Sequence, residues 1–173
     1  MSTIHEEAVR LYELLIDEYV PKIMLSSGFR EYSDAGKDEV VARVLRTFAP
    51  PPPGALLARL LYIRTPGNAA PMRTVFVGNL GSPDPTARKF SLFGLKELGH
   101  ESLTDLALLL MRDTDDQVLA AAIDVLVPRA QEDPNLRSYL QGFHDANRGK
   151  ASLHMSLSLL EAHGLATAAG ART

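Results

Sequence analysis

Asp84-Pro-Thr-Ala-Arg-Lys-Phe-Ser-Leu-Phe-Gly-Leu95 and Asp115-Asp-Gln-Val-Leu-Ala-Ala-Ala-Ile-Asp-Val-Leu126 stand in register, 31 residues apart (115 minus 84). Ala87 answers Val118, Leu92 answers Ile123 and Leu95 answers Leu126. Upstream, Met72, Val75 and Val77 fall opposite Leu103, Leu106 and Leu108. A helix, a short acidic turn and a second helix therefore recur. Such a unit cannot bury its apolar side alone and needs a neighbour of the same kind. With no strand-type alternation of useful length, the chain reads as all-α.

Outward from this repeat, the punctuation is regular. Asp84-Pro85 and Asp133-Pro134 each read as an N-cap followed by proline at the first helical position, where its missing donor costs nothing. Asp115 and Asp116 place acids at the positive end of the next helix. Gly81 and Gly99 read as C-terminal caps, and Pro128 as a helix end. Gly94, in mid-helix, implies a close crossing with an adjacent helix. The 103–111 helix is apolar almost all round, so it should be covered on more than one side. The eighth stripe is Leu136, Tyr139, Leu140 and Phe143, and Ser152, Ser156 and Ser158 read as polar positions on the last helix.

Towards the N-terminus, Ala8, Leu11, Tyr12, Leu15 and Tyr19 share a helical face that should kink at Pro21. Val40, Val41, Val44, Leu45 and Phe48 make a second stripe, stopped by a stiff connector of four prolines, Pro50 to Pro53. Leu56, Leu57, Leu60 and Leu61 make a third, ended near Thr65-Pro66-Gly67. About nine helices result. We expect one domain over 1–164, with 1–36 as a cap built on a 4–26 helix and 37–163 as helix pairs. Residues 165–173 are expected to form a flexible tail.

Composition narrows the function. The chain has 173 residues, a net charge of −3 and no cysteine, which removes disulfides, thiolate catalysis and Cys-ligated zinc. No apolar run reaches the roughly 18 residues needed to span a bilayer. The start lacks the basic-then-apolar order of a secretory signal, so a cytoplasmic location is the expectation. Charge is segregated: residues 37–100 carry nine bases against four acids, and residues 101–133 carry eight acids against two bases. A linear stack would turn these blocks into surface stripes.

Leu-Leu-Leu-Met-Arg-Asp-Thr-Asp-Asp-Gln-Val (108–118) and Leu-Gly-Ser-Pro-Asp-Pro-Thr-Ala-Arg (80–88) resemble the intra-repeat turn of HEAT repeats. Arg88 takes the family's arginine position in the first unit, and Leu119 replaces it in the second. The resemblance implies a right-handed α-solenoid of stacked antiparallel helix pairs: 37–48 with 54–65, 69–80 with 84–98, 101–112 with 115–129, and 133–145 with 149–163. Second helices would line a concave groove, making Arg59, Tyr62, Lys89, Phe93, Lys96, Gln117 and Asp124 the candidate partner-binding residues.

There is no His-x₃-His pair, no His-Glu-x-x-His, no Gly-x-Ser-x-Gly elbow and no phosphate-cradling glycine loop. His144, beside Asp145 and near Arg148, is the one histidine in a polar cluster, and it reads as part of a surface turn. The expectation is a non-catalytic protein-interaction module, an adaptor or scaffold with no cofactor and no metal, bound to another protein. Self-association stays open, because the 103–111 helix and Phe143 are apolar enough to feed an interface. HEAT-like proteins that bind nucleic acid or repair DNA, and HEAT-like bilin lyases, are the alternatives. Against the first stand a pI of 5.9 and the absence of tryptophan. Against the second, the acidic and aromatic site residues of those lyases find no counterpart.

Overall fold

Three helices begin at an aspartate whose carboxylate accepts first-turn amides that have no partner within their own helix. Asp84 accepts from Thr86 N (2.9 Å), Asp115 from Gln117 N (2.9 Å) and Val118 N (3.1 Å), and Asp133 from Asn135 N (2.9 Å) and Leu136 N (3.2 Å). Asp84 and Asp133 are the caps expected from the sequence, and Asp115, expected only as an acid at the positive end of its helix, caps as well. They belong to a computed structural model that describes residues 3–17, 29, 34–47 and 54–166. Among the described residues the chain is all-α: α1 (Ile4–Ile16), α2 (Asp34–Thr47), α3 (Gly54–Leu60), α4 (Ala69–Asn79), α5 (Pro85–Glu97), α6 (Leu103–Leu110), α7 (Asp116–Ala130), α8 (Pro134–Asn147) and α9 (His154–Ala162). Single 3₁₀ turns follow α3 and precede α9. The expectations at Tyr19, Pro21, Phe48, Pro50 to Pro53 and 167–173 lie outside the described residues.

The chain divides into two compact units, 1–100 and 101–173. In the first, α1 packs on α2, α4 on α5, and α3 on α5. The 37–48 segment therefore has α1 as its main neighbour among the described residues, where the sequence paired it with 54–65. In the second unit, α6 packs on α7, and α7 receives both α8 and α9. Within each unit two second helices of consecutive pairs stack on one another: α3 on α5, and α7 on α9.

Burial repeats at the 31-residue spacing. Ala87 and Val118, Ser91 and Ala122, Leu92 and Ile123, and Leu95 and Leu126 are all buried. Phe76 and Gly94 show why the first pair closes tightly. A Cβ on Gly94 would lie 2.5 Å from Cε2 and Cζ of the fully buried Phe76 ring, so the glycine is the socket for that ring. At the equivalent positions of the second pair stand Ala107 and Val125, both buried. The large residue has moved from the first helix to the second, which conserves core volume.

Gly99 (φ +60°) ends α5 in a Schellman turn, with His100 N donating to Leu95 O (3.0 Å) and Gly99 N to Lys96 O (3.1 Å). Gly164 (φ +67°) does the same for α9, with Leu165 N to Leu160 O (3.0 Å). That turn brings the residue after the glycine back onto the helix, so Leu165, expected in the tail, is buried. Gly81 is not left-handed; short bonds such as Ser82 N to Asn79 O (3.1 Å) close the end of α4 instead.

Four readings are corrected. Pro128 lies inside α7, which continues to Ala130, because the ring sits on the exposed side, where losing its own donor leaves no buried orphan. α6 is not covered all round: Ala107, Leu110 and Met111 are buried, Leu103, Leu106 and Leu108 are half-buried, and Leu109 is 57% exposed. Tyr139 is 45% exposed, while the buried stripe of α8 is Leu136, Leu140 and His144. Ser156 is fully buried against α7.

Candidate functional site

The predicted binding residues separate by unit. In the first unit, Lys89, Phe93 and Lys96 fall on one face of α5, at four- and three-residue steps that keep side chains aligned on a helix. Phe93 is 46% exposed, Lys96 is exposed and Lys89 is half-buried, its ammonium 4.8 Å from the Phe90 ring centre. This face lies opposite the one that holds Ala87, Ser91 and Gly94 in the core, so Gly94 and Phe76 hold it in place from behind. Tyr62 is half-buried in the 3₁₀ turn after α3. Arg59 is half-buried as well, with its guanidinium donating to the carbonyl of Asp17, the C-cap of α1. In the second unit, Gln117 and Asp124 are exposed seven residues apart on one face of α7.

Arg59 is one of several arginines used in this way. The last carbonyls of a helix lack partners and carry partial negative charge. Arg73 donates to Leu98 O (2.7 Å) and Arg64 to Glu97 O (3.4 Å), both at the end of α5, while Arg88 holds Ser82 O (2.8 Å) in the turn before it. Arg137 donates to Ala130 O (3.1 Å) and Gln131 O (3.3 Å) at the end of α7. Much of the basic excess of 37–100 is therefore structural. The cations that face outward on α5 are lysines.

Two polar arrangements in the second unit were not legible as sites. Asp116, in the first turn of α7, accepts Met155 N (2.8 Å) and Ser156 N (3.0 Å), and its carboxylate and carbonyl both receive the Ser156 hydroxyl. It caps α9 from a different helix, because Leu153 at the N-cap of α9 offers no side-chain acceptor. The only sequence signal was an acid where the first repeat has Pro85.

The second arrangement is His144. It is 1% exposed, on the same stripe as Leu136 and Leu140, and its Nε2 lies 3.0 Å from Glu161 Oε1 of α9. Its buried Nδ1 has no hydrogen-bond partner among the described residues and lies 3.6 Å from Asp145 Oδ1, which Arg148 holds at 2.7 Å. Reading His144 as a surface turn is therefore wrong, and the four-residue steps from Leu136 through Leu140 were the signal that could have found it. Beside it, Gln141, Asp145, Arg148 and Gly164 to Ala166 line an open cleft of about 280 Å³. A second cleft of about 360 Å³ is lined by Lys150, His154, Ser158 and Glu161 among others. Ser158 Oγ is 3.3 Å from His154 Nδ1 on an exposed face.

Among the described residues, no group of three or more histidines, aspartates or glutamates is placed to hold a metal ion. No described helix is long and apolar enough to cross a membrane. No protein-family model, curated protein or solved structure matches the chain.

Proposed function

We propose that the chain is a non-catalytic protein-binding module of HEAT type, acting in the cytoplasm, and that the outer face of α5 receives its partner. The observation that carries this reading is the Lys89–Phe93–Lys96 stripe. An aromatic side chain stays 46% exposed between two lysines on a helix whose opposite face is locked by the Gly94–Phe76 contact. Aromatic side chains, phenylalanine among them, are enriched in the cores of protein interfaces, and charge around them steers encounter. A helix already fixed by its core adds little ordering cost on association. Gln117 and Asp124 on α7 form a weaker candidate, since no exposed large apolar side chain stands between them.

Phosphate binding is a poorer fit, because several arginines of 37–100 are engaged by helix-end carbonyls. Affinity capture from the native cell, with the wild-type chain beside a Lys89→Glu/Lys96→Glu chain and a Phe93→Ala chain, tests the proposal. A partner held through this face should drop by about tenfold or more with either variant. Equal recovery on all three would reject the face.

A further inference from the structure

Two exposed helical stripes each carry a large apolar side chain preceded by charge, and the two charges are opposite. On α5 the stripe runs Lys89 then Phe93; on α6 it runs Asp105 then Leu109, with the exposed Glu101 one turn earlier. Leu109, at 57%, is the most exposed large apolar side chain among the described residues, and Phe93 is 46% exposed. In both stripes the charge precedes the apolar residue by four positions, about 6 Å along a helix axis. Beyond Phe93, α5 continues to Lys96 and Glu97; beyond Leu109, α6 ends at Leu110, and Asp113 in the following turn accepts Asp115 N (2.9 Å). Glu97 also lies 3.9 Å from Arg64.

The internal repeat says what kind of object fits the α5 stripe. Lys89 and Lys96 correspond, 31 residues on, to Ala120 and Val127. Those two are buried on the side of α7 that Asp116 fixes to the first turn of α9. On α7 that side seats another helix, and Asp124, the counterpart of Phe93, is exposed at its edge. On α5 the same seat is written with lysines, so a helix that occupies it must present acids.

We infer that the chain associates with a second copy of itself, α6 of one copy lying on α5 of the other with Leu109 against Phe93 and Asp105 against Lys89. This rests on the reading of the α5 stripe as a docking face and names its occupant. Charge complementarity favours a second copy: the α5 stripe carries Lys89 and Lys96, and the acids ahead of Leu109, Glu101 and Asp105, are exposed. Each chain thus brings both complementary surfaces. One helix-on-helix contact falls at the small end of specific interfaces, below about 1,200 Å², so the association is weak and concentration-dependent. Because the two surfaces differ, the contact either closes by mutual exchange or runs on from copy to copy.

Sedimentation velocity of the full chain, from about 10 µM to about 1 mM, reads this directly. The wild type should self-associate at low salt and dissociate near 1 M salt, where the screening length falls to about 3 Å. Lys89→Glu alone and Asp105→Lys alone should each weaken association by about tenfold. An equimolar mixture of the two should recover it, because the reversed charges again face each other. Leu109→Ser should weaken association with every charge in place. Glu101→Lys, outside any helix, replaces Asp105→Lys if circular dichroism shows α6 perturbed. A wild type that stays monomeric throughout, a mixture that does not recover, or an unaffected Leu109→Ser chain would each overturn the inference. A monomeric wild type that still captures another protein through Phe93 would leave the docking face standing and remove only the second copy.

Discussion

Replacing Gly94 by alanine puts a methyl carbon 2.5 Å from Cε2 and Cζ of Phe76 and 2.6 Å from Cε1. Ordinary carbon contacts lie at about 3.5–4.0 Å, so ring and methyl must separate by about 1 Å or more. The ring cannot simply swing aside, because Phe76 is fully buried and interiors are packed to crystal-like density. Forcing an extra methyl into such a core costs about 1–3 kcal/mol. Alanine returns about 1 kcal/mol through its better helix propensity. The net expectation is a loss of about 1 kcal/mol, where an unobstructed helical glycine would show a gain of similar size.

Urea unfolding followed by far-UV circular dichroism measures this, and a second substitution makes the reasoning sharper. Phe76→Leu removes the ring edge that the new methyl strikes, so Gly94→Ala should become neutral or favourable in that background. The coupling energy should be about 1–2 kcal/mol, within the range found for residues in contact. Gly94→Val with Phe76→Ala goes further and rebuilds the Ala107/Val125 arrangement of the second pair. A Gly94→Ala chain at least as stable as the wild type, or strict additivity with Phe76→Leu, would refute the ring-in-socket account.

Asp116→Ala should cost about 1–2 kcal/mol, because it strips α9 of its cap while the Ser156 hydroxyl keeps the backbone carbonyl of residue 116 as acceptor; faster amide exchange at Met155 and Ser156 would report the same loss. Global destabilisation without faster exchange at those two amides would contradict the capping role. Pro128→Ala should stabilise α7 by about 1 kcal/mol, as a regained backbone donor and better propensity outweigh the added freedom of the unfolded chain, and a lower urea midpoint would count against that balance.

Local grammar was readable from the residues. Asp84-Pro85, Asp115 and Asp133-Pro134 start helices because a carboxylate two or three residues before an amide reaches it whatever the rest of the chain does. Gly94 marked a tight crossing because nothing else justifies glycine in mid-helix. Its partner was not readable, since Phe76 and Gly94 are joined by the way α4 lies on α5. Lys89, Phe93 and Lys96 were candidates because the HEAT resemblance lines a groove with second helices, and their four- and three-residue spacing sets them on one face of α5. Arg59 was chosen on the same ground and turned out to hold the end of α1.

The failures share a cause. Periodicity locates an apolar stripe to within about one residue, and the neighbouring helix decides which edge of the stripe is covered. So Tyr139 gave way to His144 on α8, and Leu109 was left facing outward on α6. Ser156 shows the same effect, since an exposed serine and a buried one bonded to Asp116 read identically in a single helix. What the sequence by itself determined was the 31-residue repeat, the all-α class and the helix starts at Asp84, Asp115 and Asp133, the last of which arise from backbone and side-chain interactions within a few residues. Only the tertiary structure decided which arginines are helix-end ligands, which apolar side chains stay open and where the buried His144–Glu161 pair forms. Those outcomes depend on contacts between helices, and chain-local energetics do not encode them.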